Sequence, residues 1–231
     1  MTTYGRSPWI HQFPKSRVPS YPRYRGASTA DVVVIGGGLT GCATAYALAA
    51  AGVKVTLIEA ARIGCGSSGS ASGWLNEDPG VGFADLGQSF GVRGAARAFQ
   101  NWRRASLDFA ALLRRLDVKC FIEPHPAVTV AVTPEQVVRL TREHKARRAG
   151  GLDASLLNAR AISGEVALSA AAALRAKDGA TLDPYRACLG LAASAAEAPA
   201  SSSGPRGYRE YRVRQELGRR RESNVPAHSA A

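Results

Sequence analysis

The stretch from Asp31 to Glu59, DVVVIGGGLTGCATAYALAAAGVKVTLIE, decides the fold. Val32–Ile35 is a short, wholly apolar, β-branched run, the pattern of a strand buried on both faces. Glycines 36 to 38 end it. Residues 40–51 are small and helix-favouring, as in a helix packed tightly on a sheet, and Gly52 stands where such a helix takes a C′ glycine. A second strand is predicted over Lys54–Glu59, with Val55, Leu57 and Ile58 as its apolar content. Strand, helix and strand within about 30 residues predict a right-handed βαβ unit and hence a parallel sheet.

Gly36-Gly37-Gly38-Leu39-Thr40-Gly41 matches G-x-G-x-x-G, and its context makes the match specific. It follows a predicted buried strand, opens a predicted helix, continues through Ala45 and Gly52, and has the acid Glu59 at the end of the next strand. Gly36 permits the tight turn, Gly38 lets a pyrophosphate approach the backbone, and Gly41 lets the helix pack closely on the sheet. The unpaired N–H groups at the helix start and its positive dipole end then hold phosphates. Glu59, 18 residues beyond Gly41, is placed to accept hydrogen bonds from ribose hydroxyls and disfavours a 2′-phosphate there. These residues point to dinucleotide binding and leave NAD and FAD both open.

Residues 60–90 are rich in Gly, Ser and Asp and read as a long functional loop. Between Ala95 and Leu116, apolar positions such as Phe99, Trp102, Leu113 and Leu116 fall near helical spacing, with Arg97, Arg103, Arg104, Arg114 and Arg115 mostly on a solvated face. Cys120–Glu123 and Ala127–Val132 read as strands. Thr133-Pro134-Glu135-Gln136 is a capped helix start, and that helix should run to about Arg148. Leu174–Leu182, with Asp178-Gly179 in its middle, reads as a hairpin. Asp183-Pro184 opens a last helix through about Glu197.

The 231 residues carry a formal charge of +12, which invites a nucleic-acid or membrane-surface reading. Residues 1–30, a Pro- and aromatic-rich extended arm that Trp9, Ile10, Phe13 and Tyr21 could pin to a surface, account for +5. Residues 198–231 account for +4, leaving +3 for residues 31–197. The basicity belongs to the two ends, so the body needs no specific nucleic acid to explain it. Cys42, Cys65, Cys120 and Cys188 lie far apart without metal-ligand spacing, which implies no metal site and reduced thiols in the cytoplasm. No run approaches the roughly 18 apolar residues of a membrane span, and the N-terminus lacks the apolar stretch of a signal peptide.

The dinucleotide motif, followed by Glu59-Ala60-Ala61-Arg62 and the loop from Ile63 to Trp74 (IGCGSSGSASGW), resembles the FAD-dependent oxidoreductases of the D-amino-acid oxidase, glycine oxidase and sarcosine oxidase superfamily. The resemblance covers residues 31–197, is most specific over 31–75, and includes Asp178–Pro184. It implies an α/β fold, with a Rossmann-like FAD-binding βαβ unit and the beginning of an α+β substrate domain. It implies that Leu39 and Thr40 line the pyrophosphate, that Glu59 and Ala60 contact the adenosine, and that Ser67 and Ser68 lie near the phosphates or adenosine. Ser72, Gly73 and Trp74 would approach the flavin. The implied activity is oxidation of an amine or amino-acid C–N bond by hydride transfer to flavin. It requires no catalytic acid or base among these residues, and His11, His125, His144 and His228 are read as surface or structural groups.

Members of this superfamily are much longer, so the chain reads as an N-terminal, truncated portion. Beyond Glu197 the composition turns Ser- and Arg-rich without a period, the signature of disorder. Pro199–Tyr208 (PASSSGPRGY) can be produced by a one-base shift in codons for A-R-I-F-E-R-S-P-R-V, a strand of the type expected there, so residues 198–231 read as a possible frameshift product. Three other readings remain at this point: a catalytically inactive dinucleotide-binding fragment, an NAD-dependent oxidoreductase, and a nucleic-acid-binding protein. Substrate identity and oligomeric state are not legible.

Overall fold

The computed structural model describes residues 5, 7–22, 29–198 and the backbone of 212–215. Its first half contains α1 (Pro8–Gln12), β1 (Val32–Ile35), α2 (Leu39–Ala50), β2 (Val55–Glu59), β3 (Trp74–Leu75) and α3 (Phe83–Arg115). Next come β4 (Glu123–Pro124), β5 (Ala127–Ala131), α4 (Pro134–Ala149), β6 (Ser155–Asn158) and α5 (Ala159–Ile162). The last elements are β7 (Ala172–Ala176), β8 (Ala180–Thr181), α6 (Pro184–Glu197) and β9 (Arg212–Gln215). Two units emerge, Met1–Ser70 with Cys188–Ala231, and Ala71–Ala187.

The first unit holds the predicted βαβ. β1 and β2 are parallel, with Val32 opposite Val55 and Ile35 opposite Ile58. α2 buries Cys42, Ala45 and Ala49, small residues at spacings of three and four that let the helix lie close to the strands. It ends at Ala51, and Gly52 takes φ +79° at the C′ position, as expected. β1 departs from the expectation of a strand buried on both faces: its pattern alternates, with Val33 and Ile35 exposed. α2 covers one face, and no described layer covers the other.

Two further departures concern the ends. The arm expected to be extended contains a helix, α1, opened by Pro8 at its first position, where the fixed φ of proline suits a helix. The tail expected to lack structure contributes β9, parallel to β2, with Thr56 opposite Arg212. An open strand edge presents unpaired N–H and C=O groups to any extended backbone, which is the physical reason such pairing forms. The rest of the expected disorder in 198–231, including Pro199–Tyr208, lies outside the described residues.

The second unit has two small sheets. β5, β7 and β6 form an antiparallel sheet in that order, and β3, β8 and β4 form another. α4 packs on the first through Val137 and Leu140 against Ala131, Ala154, Ala172 and Leu174. Its predicted start is present as a capping box between Thr133 and Gln136. α3 packs on α4 through Phe83, Ala95 and Phe99, with Ala146 and Leu152 against them, and the Phe83 and Phe99 rings meet edge-on with centroids 5.3 Å apart. Arg97, Arg103, Arg104, Arg114 and Arg115 are exposed, as expected of a solvated face.

Two expectations fail here. The helix expected from Ala95 begins at Phe83, with a break at Gly91 (φ 73°, ψ 160°), so part of the expected loop is helical. The expected hairpin over Leu174–Leu182 does not form, because β7 and β8 belong to different sheets. Gly179 there serves a close crossing instead: a Cβ on it would lie 2.4 Å from the His125 carbonyl oxygen.

Candidate functional site

The glycine turn between β1 and α2 is built from contacts that leave no room for side chains. Gly36 has φ +102°, which a residue with a Cβ rarely adopts. A Cβ on Gly41 would lie 1.9 Å from the Gly36 carbonyl oxygen, so only glycine lets α2 start this close to the turn. Gly38 is the N-cap of α2 and offers no side chain to its amides. The first helical hydrogen bond runs from the Cys42 N–H to the Gly38 carbonyl at 2.9 Å, so the amides of Leu39, Thr40 and Gly41 have no intrahelical acceptor. The Leu39 amide instead donates to Ser68 Oγ at 2.8 Å. Ser68 thus sets an oxygen against the first turn of α2, where the helix dipole favours negative charge.

Glu59, at the end of β2, reaches back across the turn. Its Oε2 accepts the Gly37 N–H at 2.7 Å and its Oε1 accepts the Ala61 N–H at 2.8 Å. A carboxylate offers about four lone-pair sites, so two backbone bonds leave capacity for a vicinal diol. Past Glu59 the loop folds back on the turn. The Gly64 N–H donates to the Gly37 carbonyl at 2.8 Å, and Ser67–Ser70 forms a 3-10 turn. The Cys42 thiol donates to the same Gly37 carbonyl at 3.5 Å; its hydrogen bond with the Cys188 thiol and then burial push it up from its ordinary pKa.

Within this unit the structure brings Gly36, Gly38, Leu39, Gly41, Glu59 and Ser68 together around one turn. Thr40, Ala60 and Ser67 flank it with exposed side chains. Ser72, Gly73 and Trp74 fall in the second unit. There Gly73 takes φ +77° and its carbonyl accepts the Leu182 N–H at 2.8 Å, while Trp74 pairs with Thr181 and keeps its indole partly exposed. Trp74 also borders a cavity of about 670 Å³ whose wall includes Asn76, Asp78, Arg139, Glu143 and Arg147.

Sequence reasoning passed over Gly37 and Ile63. Gly37 is an unrestricted position of the motif, yet a Cβ there would lie 2.3 Å from Ile63 Cδ1 and 3.1 Å from Glu59 Cβ. Its amide and carbonyl tie Glu59 and Gly64 to the turn. The run of three glycines was the available signal. Among the described residues no group of His, Cys, Asp and Glu could hold a metal ion, and no helix is long and apolar enough to cross a membrane. None of the four cysteines is joined in a disulfide.

The residues fit a dinucleotide cofactor: a glycine N-cap, first-turn amides without helical acceptors, and an acid at the end of β2. Residues 31–201 match the family DAO, FAD dependent oxidoreductase. The chain is 32% identical over 140 residues to gamma-glutamylputrescine oxidoreductase of Escherichia coli, covering 60% of this chain and 33% of that protein. It is 39% identical over 95 residues to the probable oxidoreductase OrdL of Rhizobium meliloti, covering 40% of this chain and 22% of that protein. Among solved structures, glycine oxidase from Geobacillus kaustophilus superposes with a TM-score of 0.58 at 20% identity, over 73% of this chain and 45% of that one. The chain therefore spans less than half the length of these relatives. With the match running from β1 through α6, this chain belongs to the DAO family of FAD-dependent oxidoreductases.

Proposed function

We propose that the chain is the N-terminal, FAD-binding portion of an oxidoreductase that oxidises the C–N bond of a small amine or amino acid. The observation that carries this reading is the hydrogen-bonded cradle in which Glu59 and Ser68 meet the Gly37 and Leu39 amides. The Gly36–Gly41 turn and the first turn of α2 hold the pyrophosphate, and Glu59 takes the adenosine ribose. Leu39, Thr40, Ala60 and Ser67 line these groups, and Ser72, Gly73 and Trp74 serve the flavin end. When bound, the flavin supplies the hydride acceptor. The chain's own residues bind and orient it, and no acid or base among them is assigned a proton. The relative named for gamma-glutamylputrescine supports an amine as substrate class.

We place the protein in the cytoplasm, a reading supported by four cysteines outside any disulfide, of which Cys42 and Cys188 are hydrogen-bonded without a bridge. Most of its +12 charge is assigned to the two ends, +5 in residues 1–30 and +4 in residues 198–231, and not to a nucleic-acid partner.

Purification followed by an absorbance scan tests the cofactor. Bound flavin gives a band near roughly 450 nm, a property of the cofactor itself, and Glu59→Gln should lower the flavin retained per chain about tenfold, the effect of losing one charged hydrogen bond. A wild-type chain that takes up NAD in place of FAD, or neither, overturns the reading in favour of a dehydrogenase or an inactive fragment.

A further inference from the structure

The N-terminal arm touches the cofactor loop at a point the family motif does not include. Ser7, the N-cap of α1, donates its hydroxyl to the Gly69 carbonyl. One turn on, Ile10 points at the same residue: a Cβ on Gly69 would lie 2.8 Å from Ile10 Cδ1 and 2.3 Å from the Gly64 carbonyl oxygen. Gly69 is buried, and only a glycine there lets the arm, the 3-10 turn and the start of the loop meet. Its N–H closes the turn on the Gly66 carbonyl at 3.1 Å. Immediately before it stands Ser68, whose Oγ takes the Leu39 amide. A continuous path of contacts therefore runs from Ser7 and Ile10 through Gly69 and Ser68 to the first turn of α2.

A second observation concerns the arm further along the chain. Tyr21 packs into the first unit with its hydroxyl oxygen buried and without a hydrogen-bond partner among the described residues. Burial first, then the neighbouring Cys42 and Glu197, push the phenol up to about 12. Cys42 lies on the buried face of α2, the helix whose N-terminus Ser68 meets. The arm is thus held over the loop at Ser7 and Ile10, and further along it carries a buried phenol oxygen at Tyr21.

We propose that this arm is a positioning element of the cofactor site: Ser7 and Ile10 set the Gly64–Ser70 loop, and so the Ser68 oxygen, against the N-terminus of α2. The proposal rests on the FAD reading of the cradle. The physical reason is entropic. A loop rich in Gly and Ser has many accessible conformations, so each contact that restricts it helps to set its geometry. Ser7 supplies a directional bond and Ile10 a buried apolar contact, which together restrict a segment that would otherwise exchange among conformers before binding. Pre-setting the loop raises affinity by reducing the ordering that binding must do.

The test uses the full chain carrying Ser7→Ala, Ile10→Ala or Ser7→Thr. Amide hydrogen exchange is followed over residues 62–70 and at Leu39, and FAD affinity is followed by flavin fluorescence. Both alanine variants should accelerate exchange in the loop and at Leu39 about tenfold and weaken FAD binding by a similar factor, while the amides of β1 and β2 keep their protection. Ser7→Thr, which retains the hydroxyl, should restore both. Unchanged loop exchange in both alanine variants overturns the proposal, and so does faster exchange with FAD affinity intact. A wild-type chain that binds no FAD overturns the cofactor reading by itself, and the exchange rates then decide whether the arm sets the loop.

Discussion

Gly37 shows how much geometry one residue without a side chain can carry. Its N–H and C=O point to opposite partners, Glu59 and Gly64, so the peptide units on either side of it fix both the acid and the return of the loop. Gly37→Ala drives a methyl group into Ile63 and should cost about 2 kcal/mol, the usual range for overpacking. Ile63→Val removes the Cδ1 atom that stands in the way, so the double variant should recover part of the loss, leaving the 3.1 Å approach to Glu59 Cβ. Urea midpoints for the four proteins of this cycle check the coupling; purely additive losses would show that the two residues do not compete for space. The motif glycines Gly36, Gly38 and Gly41 were legible because fixed spacing announces them. Gly37 was hidden because the constraint comes from Ile63, a residue of the next loop.

At the scale of elements, α3 illustrates what local pattern cannot reveal. Gly87, Gly91 and Gly94 lower its helix propensity, each by roughly 1 kcal/mol relative to Ala, so its first turns read as loop. Those turns are held from elsewhere. Glu143 of α4 accepts the Phe83 and Ala84 N–H groups at 2.7 and 2.9 Å, supplying the cap that Gly82 cannot. Arg147, almost fully buried over the Phe99 ring, pairs with Glu143 at 2.7 Å and with Asp78 at 3.3 Å. Burial alone would raise the Glu143 carboxyl, but the two amides and Arg147 together hold it below its ordinary value.

Because that carboxyl has a lower pKa folded than unfolded, its stabilisation is complete above the unfolded value, about pH 4.5, and is lost as the pH falls through the folded value. Glu143→Gln should therefore cost about 3 kcal/mol at pH 7, within the range for breaking a buried pair. The gap to wild type should shrink on acidification to pH ~3. Urea unfolding at both pH values measures this, and a gap that stays constant would locate the stabilisation outside the carboxylate. By contrast the α4 start was readable in Thr133–Gln136, since both partners of its capping box lie within one turn.

For the molecule as a whole, β1 carries the main discrepancy between composition and burial. Its sequence fits a strand covered on both sides, yet Ile35 is 86% exposed and Val33 52%. An uncovered apolar strand face favours association with other apolar surface. Sedimentation velocity should show an apparent mass that rises with protein concentration, and Ile35→Thr should lower it; a single mass at all concentrations would exclude association through this face. The βαβ unit was legible because its determinants are local in sequence, whereas the sheets of the second unit depend on pairings between distant segments. The Asp178-Gly179 turn signal was genuine, but turn chemistry does not say which strands the flanking residues join.

That crossing has a consequence for how the second unit comes apart. Lys177–Gly179 lead from β7 in one sheet to β8 in the other, and His125-Pro126 lead from β4 back to β5. The His125 N–H donates to the Gly179 carbonyl at 2.9 Å, tying these two tethers to each other. Neither sheet can release its strands without straining both tethers, so the pair should behave as one foldon, protected and lost together.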